Sequence, residues 1–515
     1  MMLKTTHLSA GIIGFILATA PVSAFAEPWI NPSNVFLRAD LQLLADNGHI
    51  DIPLTTFPLM WADVGTALRK VDESELDQAS KNAYWHVKQK FDFSRRNSQI
   101  VELNAANEEN RFTSFGDEYR DVAFSQWHFT YMGDSWAVKF APSVSTDDRR
   151  SKNVRVDDSY LAKFWGNWVF AIGLQDRWYG PGWDTNLALT NNARPMPTLS
   201  ITRKTSHPFK LPYTDLKIPW NLTTTMGQLE TDRHIPNALL WTMRFNFKPT
   251  QNLELGITRL AQWEGENRPG GLSTFWDVMK GNDNCGTIDS NEDECLAGLE
   301  PGNQLAGYDI RYSLNGFNVP LTVHMQMIAE DSDSKGGLSI FGEERYMYGL
   351  ESRLNMFDTH WLAYVEYADT FADCSDGINV GDGSGVGVGD CYYEHHIYKT
   401  GMRYRGRVLG SVYENDTTSL VFGLVSQLNQ LESWEIKAKY LDLNHDNSDR
   451  HPTDPDKGNT VTKVAEELIS LSVKYQFHQG KFKYTLGGSA NYSRFESDKN
   501  NSFDPTFYFN VQYSL

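Results

Sequence analysis

Between Arg177 and Asp184 the chain reads RWYGPGWD, and over Asn191–Pro197 it reads NNARPMP. Gly180, Pro181 and Gly182 dictate a sharply turning, fixed backbone from which dense chemistry projects. That chemistry suits recognition better than bond making. Trp178, Tyr179 and Trp183 offer flat faces to the C–H side of sugar rings. Asp184, Asn191, Asn192 and Arg194 supply directional hydrogen bonds, and the Arg194 guanidinium matches the carboxylates of acidic glycans. The same residues allow a second arrangement, in which the loop folds inward, its rings pack together and Arg194 pairs with Asp184. A loop that plugs with one face and binds with the other satisfies both.

Other chemistry is sparse. The sequence has no nucleophile elbow, no HExxH and no glycine-rich phosphate loop, and its many carboxylates show no pair singled out by spacing, so no enzyme activity is expected. Arg407, Glu414 and Asp416, in the block GRVLGSVYEND (Gly406–Asp416), form either a second polar patch or a lumen-facing salt bridge. The acid-rich stretches Asp283–Glu294 and Asp373–Asp390 match no calcium-loop spacing, so neither a metal nor a cofactor is expected. Four cysteines fall in two local pairs, Cys285 with Cys295 and Cys374 with Cys391, and in an exported chain they read as two loop-stapling disulfides.

Export itself is expected from the first residues. Lys4 and His7 precede an apolar stretch from Leu8 to about Ala20, and Ala24-Phe25-Ala26 offers the small residues of a cleavage site, so residues 1–26 read as a signal peptide. At the other end Phe507, Phe509, Val511, Tyr513 and Leu515 alternate with Tyr508, Asn510, Gln512 and Ser514. One face of that strand is wholly apolar, as closure of a membrane barrel without free edges requires. The content of 15 Trp and 23 Tyr would furnish aromatic girdles, and the net charge of −18 argues against nucleic acid and against a simple anion pore.

The elements that would position the loop follow from periodicity. Residues 27–95 read as three short amphipathic helices. The first is capped by Ser33 and ended by Gly48, the second carries Trp61, Val64 and Leu68, and the third follows an acidic start at Asp72–Glu75. From about Gln99 the period changes to two. Fifteen segments alternate clearly, Ile397–Tyr404 among them, and four weaker ones, including Arg407–Tyr413, bring the total to nineteen. A bacterial single-chain barrel takes an even number, and loop lengths stop alternating between Thr370 and Thr418, so about 18 strands are expected, with the error in that stretch. Short turns on one rim and long loops on the other place RWYGPGWD on the outer side. The fold class is therefore all-β: an antiparallel transmembrane barrel over residues 96–515 with a small N-terminal helical bundle.

The head segments LRADLQLLADNGHI and PLTTFPLMWADV, the GPGWD/NNARPMP block and GRVLGSVYEND together resemble the Wzi-type capsule assembly family, from roughly residue 30 to the C-terminus. The resemblance implies an outer-membrane barrel of about 18 strands in a Gram-negative-type cell, a helical bundle in the periplasm, and a lectin-like role retaining capsular or exopolysaccharide at the surface. The partners it implies are that polysaccharide and outer-membrane lipid, for a monomeric barrel. The rival expectation is a porin-type barrel conducting sugars or other solutes.

Overall fold

The period-two pattern that begins at Gln99 closes into an antiparallel barrel. The computed structural model describes residues 27–96, 99–146, 153–280, 302–314, 320–330, 343–356, 359–372, 392–395, 397–445, 447, 459–496 and 501–515. Residues 1–26, read above as a signal peptide, and the two acid-rich stretches lie outside these. So do Cys285, Cys295, Cys374 and Cys391, and with them the two expected disulfides, Cys285 to Cys295 and Cys374 to Cys391. Strands β1 (Gln99–Ala106), β2 (Ala123–Met132), β3 (Trp136–Phe140, resuming as Ser143–Ser145), β4 (Val154–Arg155, resuming as Tyr160–Trp165), β5 (Trp168–Leu174) and β6 (Pro197–Arg203) open the wall. They continue as β7 (Trp220–Gln228), β8 (Leu239–Thr250), β9 (Leu253–Trp263), β10 (Gly302–Leu314), β11 (Leu321–Glu330) and β12 (Glu343–Met356). The wall ends with β13 (Thr359–Asp369), β14 (Thr417–Gln427), β15 (Glu432–Leu443), β16 (Glu466–Gln479), β17 (Phe482–Phe495) and β18 (Ser502–Ser514). β3 breaks at Pro142, which cannot donate to the ladder, yet both of its halves pair with β2. β18 pairs with β1 from Tyr508↔Ala106 to Ser514↔Ile100, which leaves no edge.

Eighteen strands among the described residues is the expected number, reached with different members. Gln99–Ala106 is a wall strand that the segment count omitted, whereas Ile397–Tyr404 and Arg407–Tyr413 are not wall strands at all. They belong to the long connection from β13 to β14, whose residues 397–416 turn into the lumen and form a hairpin of Arg403–Tyr404 against Arg407–Val408. Its turn is Arg405-Gly406, both at positive φ. Tyr398, Met402, Tyr404, Val408 and Leu409 are buried there against other lumen loops. Their apolar alternation records burial inside the barrel, not contact with lipid.

Outward residues form the surface a bilayer requires. Tyr348, Tyr367, Leu420, Tyr440, Ile469, Tyr492 and Phe503 lie directly opposite one another across successive strands, all exposed. Near the short-turn end Trp434, Tyr475, Phe477, Tyr484, Phe482 and Tyr513 form a second row of touching rings. Two such girdles bound the apolar band of a membrane barrel. Inward positions are polar or charged, among them Arg244, Asp309, Arg311, Gln326, Glu351, Glu366 and Lys437. Connections at one end are short, as at 166–167, 251–252 and 480–481, and those at the other are long, as at 107–122, 175–196, 370–416 and 444–465.

The head comprises α1 (Val35–Asp46), α2 (Trp61–Leu68) and α3 (Gln78–Ser94). The α1 cap is Asn34 rather than Ser33: its side-chain oxygen accepts from the Leu37 amide at 3.0 Å. The acidic start at Asp72–Glu75 is a separate 3-10 turn, and α3 is capped by Asp77. α1 is buried all round, Arg38, Asp40 and Gln42 included, because it packs inside the barrel, where the wall itself is polar. Asp46 takes two hydrogen bonds from Arg311 (2.7 and 3.0 Å), and the Ala39 carbonyl accepts from Arg353 (2.9 Å). Just beyond α1, Glu254 on β9 accepts from the Leu54 and Thr55 amides at 2.9–3.0 Å.

Candidate functional site

The connection 175–196 leaves β5 at the long-loop end and descends into the lumen, where Trp178 and Tyr179 pair as a two-residue strand with Phe57 and Thr56 of the head. The glycines are what permit this meeting. Gly180 has φ +139, in the region that side chains avoid, and a Cβ at Gly182 would collide with the Thr185 carbonyl. The turn they allow presents the Pro181 and Gly182 carbonyls to Arg38 on α1, which donates to them at 2.6 and 2.7 Å. The Gly182 carbonyl also accepts from the Trp178 indole at 2.9 Å.

None of the three rings offers a face to solvent. Trp178, Tyr179 and Trp183 are at most 1 % exposed. Trp178 meets Phe115 edge-on, and Trp183 stacks on Tyr364 of β13 with the Arg38 guanidinium 4.1 Å from its ring centre. Burial lowers the Arg38 pKa to about 10, against the raising influence of Glu351 and Glu366, so the guanidinium stays charged. Of the two arrangements legible in the sequence, the inward-folded one is observed.

The polar residues complete a cradle. Glu366 of β13 accepts from the backbone amides of Trp183 (2.5 Å) and Asp184 (2.8 Å). Gln326 of β11 accepts from the Leu187 amide (2.6 Å) and donates to the Tyr179 carbonyl (2.9 Å). His324 lies between Glu366 (3.1 Å) and Glu351 (3.0 Å), and Glu351 in turn pairs with Arg311, the partner of Asp46 on α1. A continuous polar chain thus links the head, the wall and the GPGWD loop.

Asp184 does not pair with Arg194, as the inward arrangement had suggested. It lies between Lys439 (3.0 Å) and Lys437 (3.6 Å) of β15 and accepts from Ser114 and the Tyr413 hydroxyl. Burial pushes its carboxyl up, but the two ammoniums and Tyr413 outweigh it and hold the pKa at about 2. Arg194 instead makes a two-pronged pair with Asp157 (2.8 and 2.9 Å) near the long-loop end. Because that pair is single and only partly buried, Arg194→Ala is expected to cost only about 1 kcal/mol, a shift of a few degrees in the temperature at which the barrel loses its folded gel mobility.

Asn191 and Asn192 stitch loops together. Asn191 donates to the Ser114 carbonyl (3.3 Å), and Asn192 accepts from the Thr113 amide (3.2 Å) and donates to the Val408 carbonyl (3.4 Å). The second patch is not one constellation. Arg407 donates to the Thr113 hydroxyl (3.0 Å) and the Asn110 carbonyl (2.6 Å), whereas Glu414 pairs with Arg403. Asp416 is buried, its carbonyl accepting from the His445 amide at 3.1 Å.

The residues that hold this arrangement were mostly not singled out from sequence: Arg38, Gln326, Glu366, Lys437, Lys439 and Tyr413. One signal was available for Arg38, since LRADLQLL places polar residues all round an apolar helix and leaves it no solvent face.

Above the cradle a cleft of about 230 Å³ separates Glu108–Phe112 from the inner wall of β15–β18. Hydroxyls and amides line it, notably Ser470, Ser489, Asn491, Ser493 and Thr506, with Lys439, Lys474 and the Tyr119 and Tyr508 rings toward its floor. Among the described residues no cluster of His, Cys, Asp and Glu is arranged to hold a metal.

Comparison with known proteins gives a consistent picture. The family model described as capsule assembly protein Wzi matches residues 92–504. A Klebsiella pneumoniae protein described only as an uncharacterized 55.8 kDa protein of the cps region is 29 % identical over 320 residues. That match spans 61 % of this chain and 61 % of the relative. A solved Escherichia coli structure superposes with a TM-score of 0.75 at 22 % identity, covering 92 % of this chain and 97 % of that one. It is of Wzi, described as an outer-membrane protein involved in group 1 capsule assembly and as a carbohydrate-binding β-barrel.

Proposed function

The chain belongs to the capsule assembly protein Wzi family, and we propose that it works as an outer-membrane lectin that holds capsular or exopolysaccharide on the cell surface. The observation that carries this reading is the filled lumen. The head enters from the short-turn end, the 107–122 and 175–196 connections and residues 397–416 fold in from the long-loop end, and Arg38 joins the two at the Pro181 and Gly182 carbonyls. A barrel packed through its middle is a scaffold for its outer loops, not a solute channel. In this reading the short-turn end and the head face the periplasm, the long loops face outward, and the barrel acts as a monomer in lipid.

The GPGWD loop then acts as the rigid floor of the binding region rather than as its stacking surface. Sugar contact falls to the cleft above it, where Ser470, Ser489, Asn491, Ser493 and Thr506 offer hydroxyls and an amide to sugar hydroxyls and Arg111, paired with Glu466, adds a guanidinium to the lining. Deleting the gene is expected to move capsule from the cell-attached fraction to the medium, and restoring the chain should reverse the shift. Asn491→Ala combined with Arg111→Ala should reproduce part of that release without loss of the folded barrel. Unchanged retention after deletion overturns the lectin reading, and wild-type retention in the double variant moves the sugar contact out of this cleft. The rival porin reading requires steady ion current through the native protein in a planar bilayer.

A further inference from the structure

The connection after β9 does not only rise above the barrel. Its helix α4 (Gly271–Lys280) folds back onto the outside of the wall. Its seat consists of residues on the outward, lipid-side register of their strands: Trp241 of β8 and Ala261 and Trp263 of β9, all buried together with Val278 of the helix. Phe275 lies 5.9 Å from the Trp241 ring and 5.3 Å from that of Trp263. Arg259, also outward, donates to the Val278 and Met279 carbonyls at 2.7 Å each, and Gln304 donates to Val278 at 3.0 Å. These bonds satisfy the carbonyls that a helix C-terminus leaves unpaired and fix the height of the helix on the wall.

That height can be read along β10. Gln304 lies four residues nearer the long-loop end than Tyr308, an exposed outward tyrosine one register step from the girdle, and four residues of strand span roughly 13 Å. A strand tilt of about 40° turns that into about 10 Å along the membrane normal, which puts α4 at the outer edge of the headgroup layer. One ridge of the helix, Phe275, Val278 and Met279, is used against the wall. The neighbouring ridge, Leu272 and Trp276 one turn apart, is 81 % and 59 % exposed and has no cover among the described residues.

We propose that α4 is an interfacial helix that inserts Leu272 and Trp276 among the outer-leaflet lipids flanking the barrel, where a tryptophan and an apolar ridge beside polar residues are at home. Its occupant is lipid because the ridge continues the outward, lipid-side surface of β8–β10 and faces away from the lumen and its polar cleft. The helix thereby ties the root of the long outer connection between β9 and β10 to the membrane surface and sets its direction relative to the bilayer.

The test places p-benzoylphenylalanine at Trp276 or Leu272 in the full chain, irradiates intact outer membranes, and identifies what becomes attached. Tyr308 serves as a lipid-facing comparison, and Tyr213, exposed in the β6–β7 connection at the opposite end, as a non-facing one. The expected result is a lipopolysaccharide adduct at 276 and 272 as strong as that at 308. An adduct bearing capsular repeat, an adduct to another protein, or a signal no stronger than at Tyr213 overturns the proposal. Both positions are exposed, so the substitutions leave the fold intact, which heat-dependent gel mobility checks. This outcome is independent of capsule retention: lipid can be found at α4 whether or not the lectin reading survives.

Discussion

Asp184→Ala is expected to lower the stability of the barrel by about 3–5 kcal/mol, because it strands two buried ammoniums that have been taken out of water. Lys437 retains Glu435 at 3.2 Å, but Lys439 loses its 3.0 Å partner, and the Tyr413 hydroxyl loses its acceptor. The Trp183 and Asp184 amides stay anchored on Glu366, so the damage begins at the β15 side and spreads through Tyr413 to the 370–416 connection. Asp184→Asn, which keeps the shape and loses the charge, should fall between the variant and wild type. The pH dependence follows from the depressed pKa. A carboxyl at about 2 in the folded state and near 3.9 in the unfolded chain contributes stability fully above about pH 4. That contribution is lost as the pH falls through the folded value. The gap between wild type and Asp184→Asn in thermal unfolding should therefore be constant from pH 8 to pH 5 and narrow below pH 4. A gap that stays constant at pH 3 would show that the Asp184 charge contributes nothing to the folded state.

This core was legible in part, and its legibility follows the physics of burial. Strands such as β15 and β17 announce themselves because one face meets lipid and the other a polar lumen, so apolar and polar residues must alternate. The GPGWD turn announces itself because only glycine tolerates φ +139 at Gly180. Direction was not legible. Aromatic residues packed on a plug and aromatic residues stacked on sugar have the same composition, so Trp178, Tyr179 and Trp183 read equally well both ways. The false segments Ile397–Tyr404 and Arg407–Tyr413 arise from the same ambiguity, since a loop packed inside a barrel buries alternate residues much as a wall strand does. The counter-ions could not be assigned at all. Arg194 meets Asp157 and Asp184 meets Lys439 across 37 and 255 residues of chain, distances over which spacing carries no information.

The plug itself yields the other large expected effect. Excising residues 28–94, which joins Glu27 to Arg95, should turn a nearly silent protein into one that passes sustained current in a planar bilayer. The junction is sterically ready, since the Glu27 amide already donates to the Ser94 carbonyl at 2.9 Å. The wall does not depend on the head for closure, because β18 pairs directly with β1 and the Leu515 amide donates to the Gln99 carbonyl at 2.8 Å. What the excision removes is α1 and the segment that pairs with Trp178 and Tyr179. The Pro181 and Gly182 carbonyls lose Arg38, Glu254 loses the Leu54 and Thr55 amides, and Arg244 loses Thr55 and Thr56. Each of these wall charges then faces water, the ordinary lining of a conducting barrel, and porins of 16–18 strands leave an aqueous channel. Arg38→Ala alone should give brief, flickering openings, because it releases the turn while α1 stays in place. If the excised protein is as silent as the native one, the descending loops seal the barrel unaided and the head is not the plug. If the native protein already conducts steadily, the filled lumen is not a seal, and the porin reading displaces the lectin.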